Sequence, residues 1–392
     1  MPISDPSAWR GWLETMASAD SVLDSLADPT DQQARAEAHR LLFAALATGY
    51  QTAFADADRP DFVPSVSSVL NTVGVNPDFI YGAARIDGGG VYRLSGQRGD
   101  GVFIFIDLVA GGLGPMEQLG PSVGMIDLDA CMLGPDGAFD ILVGGERPEG
   151  HAGDWFPLDP RAVTIGLRHA YYDWGVGREL RIAIERVDRP VGGAPMPAAE
   201  IVHRLDRLSA FVERYAGFAL GYGQRQRAQG FINKLEYDDW AGRGGVVGQH
   251  YYQGIFRLEP GQAMIIDTAL PEQVRYWNVQ LNDPLWNTID WINHQSSLNG
   301  GQAVLDSDGR FRAVIAIDDP GVPNWLDPAG RLEGSLMLRW TGASSGPEPV
   351  LKIVPAAEVC AHLPIDTPVV TPEQRDEALR RRRRGAQWRR RW

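Results

Sequence analysis

Carboxylates, amides, guanidinium groups and aromatic rings recur together in three short stretches of this chain, and such side chains can hold an organic molecule and move a proton on it. They are Asn76-Pro-Asp-Phe-Ile-Tyr81, Trp277-Asn-Val-Gln-Leu-Asn-Asp-Pro-Leu-Trp286, and Asp318-Asp-Pro-Gly-Val-Pro-Asn-Trp-Leu-Asp327 with its continuation to Arg339 and Trp340. A carboxylate beside indole rings loses solvation and its pKa rises, which suits general acid or base work near neutral pH. Asp78, Tyr81, Asp319 and Asp327 are therefore candidate proton-transfer groups. Asn76, Arg168, Trp277, Asn278, Trp286, Asn324, Trp325 and Arg339 are candidate walls and clamps for a substrate. His294 joins the catalytic candidates because Asp290 precedes it by four residues, a spacing that on a helix lets a carboxylate orient the imidazole.

Each feature also has a plainer explanation. Asn76 and Asp78 around a proline read as an Asx turn that launches a strand. Pro320 and Pro323 stiffen the third stretch, and its carboxylates could simply cap a corner. The histidine and aspartate could form a surface pair.

Familiar catalytic signatures are missing. The chain contains no GxxxxGK[ST], no GxGxxG between a strand and a helix, no HExxH and no CxxC pair, so neither an organic cofactor nor a metal is expected. Gly342-Ala-Ser-Ser-Gly346 matches GxSxG in letters, but a strand-like PEPVLKIV follows where a nucleophile elbow needs a helix.

The elements that must position these residues are mostly strands. From Pro77 to Asp188, short alternating runs are punctuated by Gly and Asp, predicting consecutive antiparallel hairpins that extend one sheet. In the run from Trp277 to Gln280, alternation sends Trp277 and Val279 one way and Asn278 and Gln280 the other. The pattern predicts a mainly β (α+β) protein with two antiparallel sandwich or jelly-roll-like blocks. Its parts are a helical N-terminal segment (1–60), a first β block (61–196), a linking helix (197–232), a C-terminal β domain (233–370) and a basic, disordered tail (371–392).

The 392 residues leave room for two or three domains, and 44% apolar with 22% charged residues is ordinary for a globular protein. The net charge of −13 conceals an arginine-rich tail, without which the remainder carries about −19. An acidic body is a poor match for nucleic acid, whereas the tail, with Trp388 and Trp392, could meet RNA or an anionic lipid surface. No membrane span and no secretory leader are evident, and two cysteines make no disulfide framework, so a cytoplasmic location is expected. A small-molecule ligand is the expected partner, and a homo-oligomer is compatible with these features.

NPDFIY, WFPLDPRAVTIGLRHAYYDW, YWNVQLND, SSLNGGQAVLDSDG, DDPGVPNWLDPAGRLEG and the RW of LMLRW together resemble bacterial proteins carrying the domain of unknown function 1214, often paired with the domain of unknown function 1254. The resemblance runs from about residue 70 to 355 and is densest over 270–340. It implies a β-rich, jelly-roll-like architecture with helical additions. It also implies a setting in bacteria that break down steroids, terpenoids and aromatic compounds. In that family an arginine is more common where this chain has His294, so the resemblance does not extend to this residue as a catalyst.

The expected function is cofactor-independent acid–base chemistry on a small apolar or cyclic metabolite, of lyase, isomerase or hydrolase type. Paired carboxylates could also cleave a glycosidic bond. The same residues would equally serve a β-sandwich that binds a carbohydrate or small ligand without turnover, or make a structural protein in which the aromatics are core and the ion pairs pin loops.

Overall fold

The computed structural model describes residues 8–26, 28–110, 120–239 and 248–389. The protein is mainly β, with four sheets paired into two sandwiches and with helices at its N-terminus, centre and C-terminus. In the first sandwich, one sheet runs β1 (Val63–Pro64), β2 (Phe79–Arg85), β8 (Ala162–Ala170), β4 (Phe103–Ala110), β5 (Ser122–Asp127). The facing sheet runs β7 (Asp154–Pro157), β6 (Ala138–Gly144), β3 (Tyr92–Gln97), β9 (Arg181–Arg186). The second sandwich pairs β10 (Glu236–Asp238), β11 (Gln249–Arg257), β17 (Glu333–Ala343), β13 (Val274–Asn282), β14 (Ser297–Asn299) with β16 (Trp325–Leu326), β15 (Phe311–Ile315), β12 (Gln262–Thr268), β18 (Val350–Pro355).

Period-two alternation decides what each strand contributes. On β4, Ile104, Ile106 and Leu108 enter the first core with Leu94 and Ile141, while Phe103 and Phe105 turn outward. On β13, Trp277, Val279 and Leu281 enter the second core. Tyr276 points the other way and packs against Phe79 and Phe103 of the first sandwich, at ring-centroid distances of 5.3 and 5.5 Å. The outward faces of the β2 and β13 sheets are thus pressed together, and the interface between the sandwiches is itself buried.

Two helices close one end of this interface. On α2 (Gln32–Phe54), Asp31 caps the N-terminus by accepting from the Gln33 and Ala34 amides, worth about 1 kcal/mol. The long α3 (Ala198–Ala228) presents Ala216, Ala219 and Leu220 to Ala38 and Leu41 of α2. A shorter α1 (Ala8–Ala17) packs beside them.

Three expectations are corrected. The strands from β2 to β4 are not consecutive hairpins in one sheet: β2 pairs with β1 and β8, while β3 pairs with β6 and β9 in the opposite layer. Because Ile104 and Leu94 must meet face to face in one core, neighbouring runs were driven to opposite sheets. The run QAVL at 302–305, which its composition before the DSDG turn predicts as a strand, is not one, although that turn forms, with the Gly309 amide donating to the Asp306 carbonyl at 2.8 Å.

The third correction concerns the tail. Residues Pro372–Trp388 form α4, opened by a capping box between Thr371 and Gln374 with a proline in the first turn. Arg375 and Arg389 are buried. Arg375 reaches Asp319 at 2.8 Å and the Gln295 side chain at 3.0 Å, and Arg382 lies over the Trp174 ring at 4.3 Å. Arg389 donates to the carbonyls of Pro77 and Asp78 at 2.6 and 2.8 Å. These contacts hold both sandwiches. Trp388 is exposed, and Trp392 lies outside the described residues.

Candidate functional site

A cavity of 310 Å³ lies between the sandwiches and beneath α2 and α3. Its walls are mainly apolar, including Val63, Val66, Phe79 and Val109, and polar side chains enter from both sides. From the first sandwich come Tyr81 and Arg85 on β2, Arg168 on β8 and Asp107 on β4; from the second come Tyr251 on β11 and Arg339 on β17. Register explains the convergence. Tyr81 is opposite Arg168, which is opposite Phe105, so all three side chains share the face carrying Asp107 two residues along.

Asp107 is 2% exposed. Its carboxylate receives the Ser122 hydroxyl and the Arg168 guanidinium, the latter at 3.0 Å. Burial raises its pKa above the ordinary 3.8, and Arg168 and Ser122 only partly oppose this. Tyr81 accepts the backbone N–H of Asn76 at 2.9 Å, and among the described residues its own hydroxyl proton enters no hydrogen bond. Burial also raises its pKa, against the pull of Arg339 and Arg168.

Arg339 is 4% exposed and lies over the Tyr251 ring at 5.4 Å. Its hydrogen-bond acceptors are neutral: Asn278 Oδ1 at 3.3 Å, Gln280 Oε1, the Gly74 carbonyl at 3.0 Å and Met337 Sδ at 3.8 Å. Among the described residues no carboxylate lies within ion-pair distance of it, although leaving a buried charge uncompensated costs about 3–5 kcal/mol. Asn278 and Gln280 occupy alternate positions of β13, where with Asn282 they form a buried amide ladder.

The wall next to Arg339 is strained. Val73 and Trp286 take left-handed backbone angles, φ 56° and φ 62°, which are uncommon for a branched or bulky residue. Between them, Gly74 has φ 62°, and a Cβ there would come within 2.5 Å of the Trp286 indole nitrogen. The Gly74 amide donates to the Trp286 carbonyl at 2.8 Å, so the turn carrying Trp286 and the loop carrying Gly74 are clamped together. Trp286 stacks on Tyr222 at 4.2 Å and forms part of the cavity wall.

Of the residues predicted from sequence, Tyr81, Arg168, Trp286 and Arg339 line this cavity, with Asn76 and Asn278 hydrogen-bonded behind it. Asp78 does not line it. Its carboxylate is enclosed by Tyr276 Oη at 2.6 Å, Asn299 at 2.6 Å and Trp174 Nε1 at 2.9 Å. Burial raises its pKa, but it lies off the cavity wall and joins the sandwiches rather than facing a ligand. Asn76 makes the Asx turn, accepting the Asp78 amide at 3.0 Å.

The stretch 318–327 lies elsewhere, against the outer face of the β12 sheet, where Val322 and Trp325 pack on Ile265 and Val354. Asp319 is paired with Arg375, Asn324 bonds the backbone of Val304 and Arg312, and Trp325 donates to the Ala316 carbonyl. Trp277 is a core residue of the second sandwich. His294 and Asp327 do meet, with Nδ1 and Oδ2 2.7 Å apart, on a partly exposed surface away from the cavity. This partner replaces Asp290, whose carboxylate is bound by the amides of Ile292 and Asn293, in a turn rather than a helix.

Asp107, Arg85 and Tyr251 escaped the sequence reading. The signal for Asp107 was a single charge inside VFIFIDLV, a run otherwise apolar enough to be buried on both faces. A second hollow of 390 Å³ lies beside α4, with Asp136, Asp173, Arg178 and Glu179 at its edge. Asp173 and Arg178 are exposed there, so water screens their charges. Among the described residues no group of three or more His, Cys, Asp or Glu side chains is arranged to hold a metal ion. No helix among them is long and apolar enough to cross a membrane.

The crystal structure of an uncharacterized protein from Burkholderia cenocepacia aligns with a TM-score of 0.82, covering 89% of this chain and 97% of that one at 26% identity. A protein from Vibrio parahaemolyticus aligns at a TM-score of 0.48 and 11% identity, over 86% of this chain and all of that one, too distant to support an argument. No family model matches the chain, and no curated protein matches it.

Proposed function

We propose that this chain is an enzyme acting on a small, largely apolar or cyclic organic molecule by acid–base chemistry without an organic cofactor, as a lyase, isomerase or hydrolase. The observation carrying this reading is that a desolvated carboxyl, Asp107, and a phenol, Tyr81, whose proton is uncommitted, both line one wall of an apolar cavity. Asp107 exchanges a proton with the substrate. Tyr81 donates to the oxygen on which negative charge develops, and the neighbouring Arg168 and Arg339 lower the energy of that charge in surroundings where water screens little. Cleavage of a glycoside by paired carboxylates is not carried forward, because Asp107 is the single carboxylate among the described residues of the cavity wall. We also propose membership of the family carrying the domain of unknown function 1214, on its six spaced motifs.

Binding without turnover is favoured by one observation, the engagement of Asp107 by Ser122 and Arg168 before any ligand arrives. Solvent exchange separates the two readings. The chain is incubated in D₂O with terpenoid, steroid and aromatic compounds, and mass spectrometry follows deuterium uptake or product formation. We expect at least one compound to exchange or react, with loss of about 10²-fold or more in Asp107→Asn and in Tyr81→Phe. Saturable binding with no exchange in any compound would leave the binding module. Equal rates in folded variants would remove these two residues from the chemistry.

A further inference from the structure

We propose that the natural ligand of the cavity is a hydrophobic carboxylic acid whose carboxylate seats on Arg339, an inference that rests on the cavity being the working site and names the substrate class it takes. Three guanidinium groups, Arg85, Arg168 and Arg339, reach the cavity wall against the single carboxylate of Asp107, inside a protein of net charge −13. Nothing about the whole molecule would gather positive charge there. The arginines differ in how their charge is met. Arg168 is paired with Asp107. Arg339 is almost fully buried, is held in place by two amide oxygens and a carbonyl, and has no carboxylate within ion-pair distance among the described residues.

Of the other buried arginines, Arg389 sits on carbonyls within the field of the Asp78 carboxylate, and Arg186 and Arg375 are met by carboxylates directly. Arg186 is met by Asp58, Asp87 and Asp188, and Arg375 by Asp319. Arg339 is fixed by neutral acceptors that set its orientation without cancelling its charge. Because these acceptors occupy Nη1 and Nη2, the uncancelled charge of the guanidinium, rather than a free pair of parallel donors, favours a carboxylate over a neutral oxygen here. Tyr81 and Tyr251 stand beside it on the wall, and the Tyr81 hydroxyl has a proton to give. The rest of the wall, with Val63, Val66, Val73, Phe79, Val109 and Trp286, suits a hydrocarbon body. The ligand therefore supplies the missing negative charge, and its apolar part fills the space that keeps that charge dry.

The test is calorimetric titration of the full chain with cyclohexanecarboxylate, decanoate and naphthalene-2-carboxylate, each against its methyl ester and primary amide. The expected result is binding of at least one acid, about tenfold or more tighter than its ester and amide. In Arg339→Gln the acid should fall to the affinity of its amide, while the amide itself changes little. Arg339→Lys should keep part of the preference. Circular dichroism and the thermal midpoint establish that each variant is folded, and if neither is, the acid against amide comparison in the unaltered chain decides alone. Equal binding of acid and amide, a preference surviving in Arg339→Gln, or no acid with Kd below about 1 mM would each overturn the proposal. Acids that bind but show no deuterium exchange would leave this inference standing and remove the acid–base reading. Exchange on neutral compounds alone would do the reverse.

Discussion

Two arginines five positions apart on α4 should behave very differently when replaced by alanine. Arg375 is 6% exposed and spans Asp319 at 2.8 Å, Gln295 Oε1 at 3.0 Å, the Val322 carbonyl at 2.5 Å and the face of Trp325 at 5.3 Å. Removing one member of a buried ion pair costs about 3–5 kcal/mol. The Asp319 side chain is 26% exposed, so water recovers part of its solvation and the lower end applies. The Val322 carbonyl and the Gln295 amide each lose a donor, adding about 1 kcal/mol apiece where water cannot replace it. We expect Arg375→Ala to lower unfolding free energy by roughly 3–5 kcal/mol. Arg380 is paired with Asp376, both largely exposed, so Arg380→Ala should leave stability unchanged. Urea unfolding followed by tryptophan fluorescence gives both numbers, with a common slope showing that the variants unfold the same way. A loss below about 1 kcal/mol for Arg375→Ala, or equal losses for the two, would refute the account of α4 as an integral helix.

Two further expectations concern pH. His169 is buried between the sheets of the first sandwich, with Nδ1 3.2 Å from the Tyr171 hydroxyl, and burial pushes its pKa down from 6.5 to about 3, with Arg389 adding to the effect. A depressed folded pKa means stability that is present above 6.5 and is lost as pH falls toward 3, because the unfolded chain takes the proton first; the ceiling is on the order of 5 kcal/mol. His169→Leu should flatten the decline of the urea midpoint between about pH 6.5 and 4, and an unchanged slope would assign acid lability elsewhere. His294 runs the other way. Its hydrogen bond with Asp327 raises its pKa above 6.5 against a partial opposing effect of burial, so its contribution is complete below 6.5 and is lost as pH rises through the raised value. With 38% of the side chain exposed, solvent screens the pair. The thermal midpoint of the unaltered chain should therefore fall slightly more than that of His294→Gln between about pH 6 and 8, and identical differences would show that the pair contributes nothing.

Period-two alternation located the face each strand presents. It placed Trp277 opposite Asn278 and Gln280, and the core and the buried amide ladder follow that division. What alternation does not contain is the partner of each strand. β2 and β3 look like the two arms of a hairpin, yet Leu94 has to face Ile104 across a core, and that requirement comes from residues far away in sequence. The same distance hid Asp107, whose meaning depends on Arg168 and Ser122. For the third motif, composition was visible but not location, since prolines and indoles suit the outer face of a sheet as well as a binding wall. The tail was misread for a chemical reason. A run of arginines reads as self-repelling and unstructured, but Arg375, Leu379, Arg382, Ala386 and Arg389 fall on one helical stripe. Arginine stems fill places usually held by apolar residues, while their charged ends reach carbonyls and carboxylates.

The position of α4 in the chain bears on how the molecule is assembled. Both sandwiches, the helices over the cavity and buried Asp78 precede it in order of synthesis, yet the nearby positive charge at Asp78 comes from Arg389, and that on the adjoining Trp174 face from Arg382. Each sandwich can condense as its own unit as it emerges. The seam between them stays electrically unfinished until the last helix docks. A chain interrupted before residue 372 would keep the aromatic contact of Phe79, Phe103 and Tyr276 but lose the cations beside Asp78 and Trp174, so its two halves would be joined less tightly.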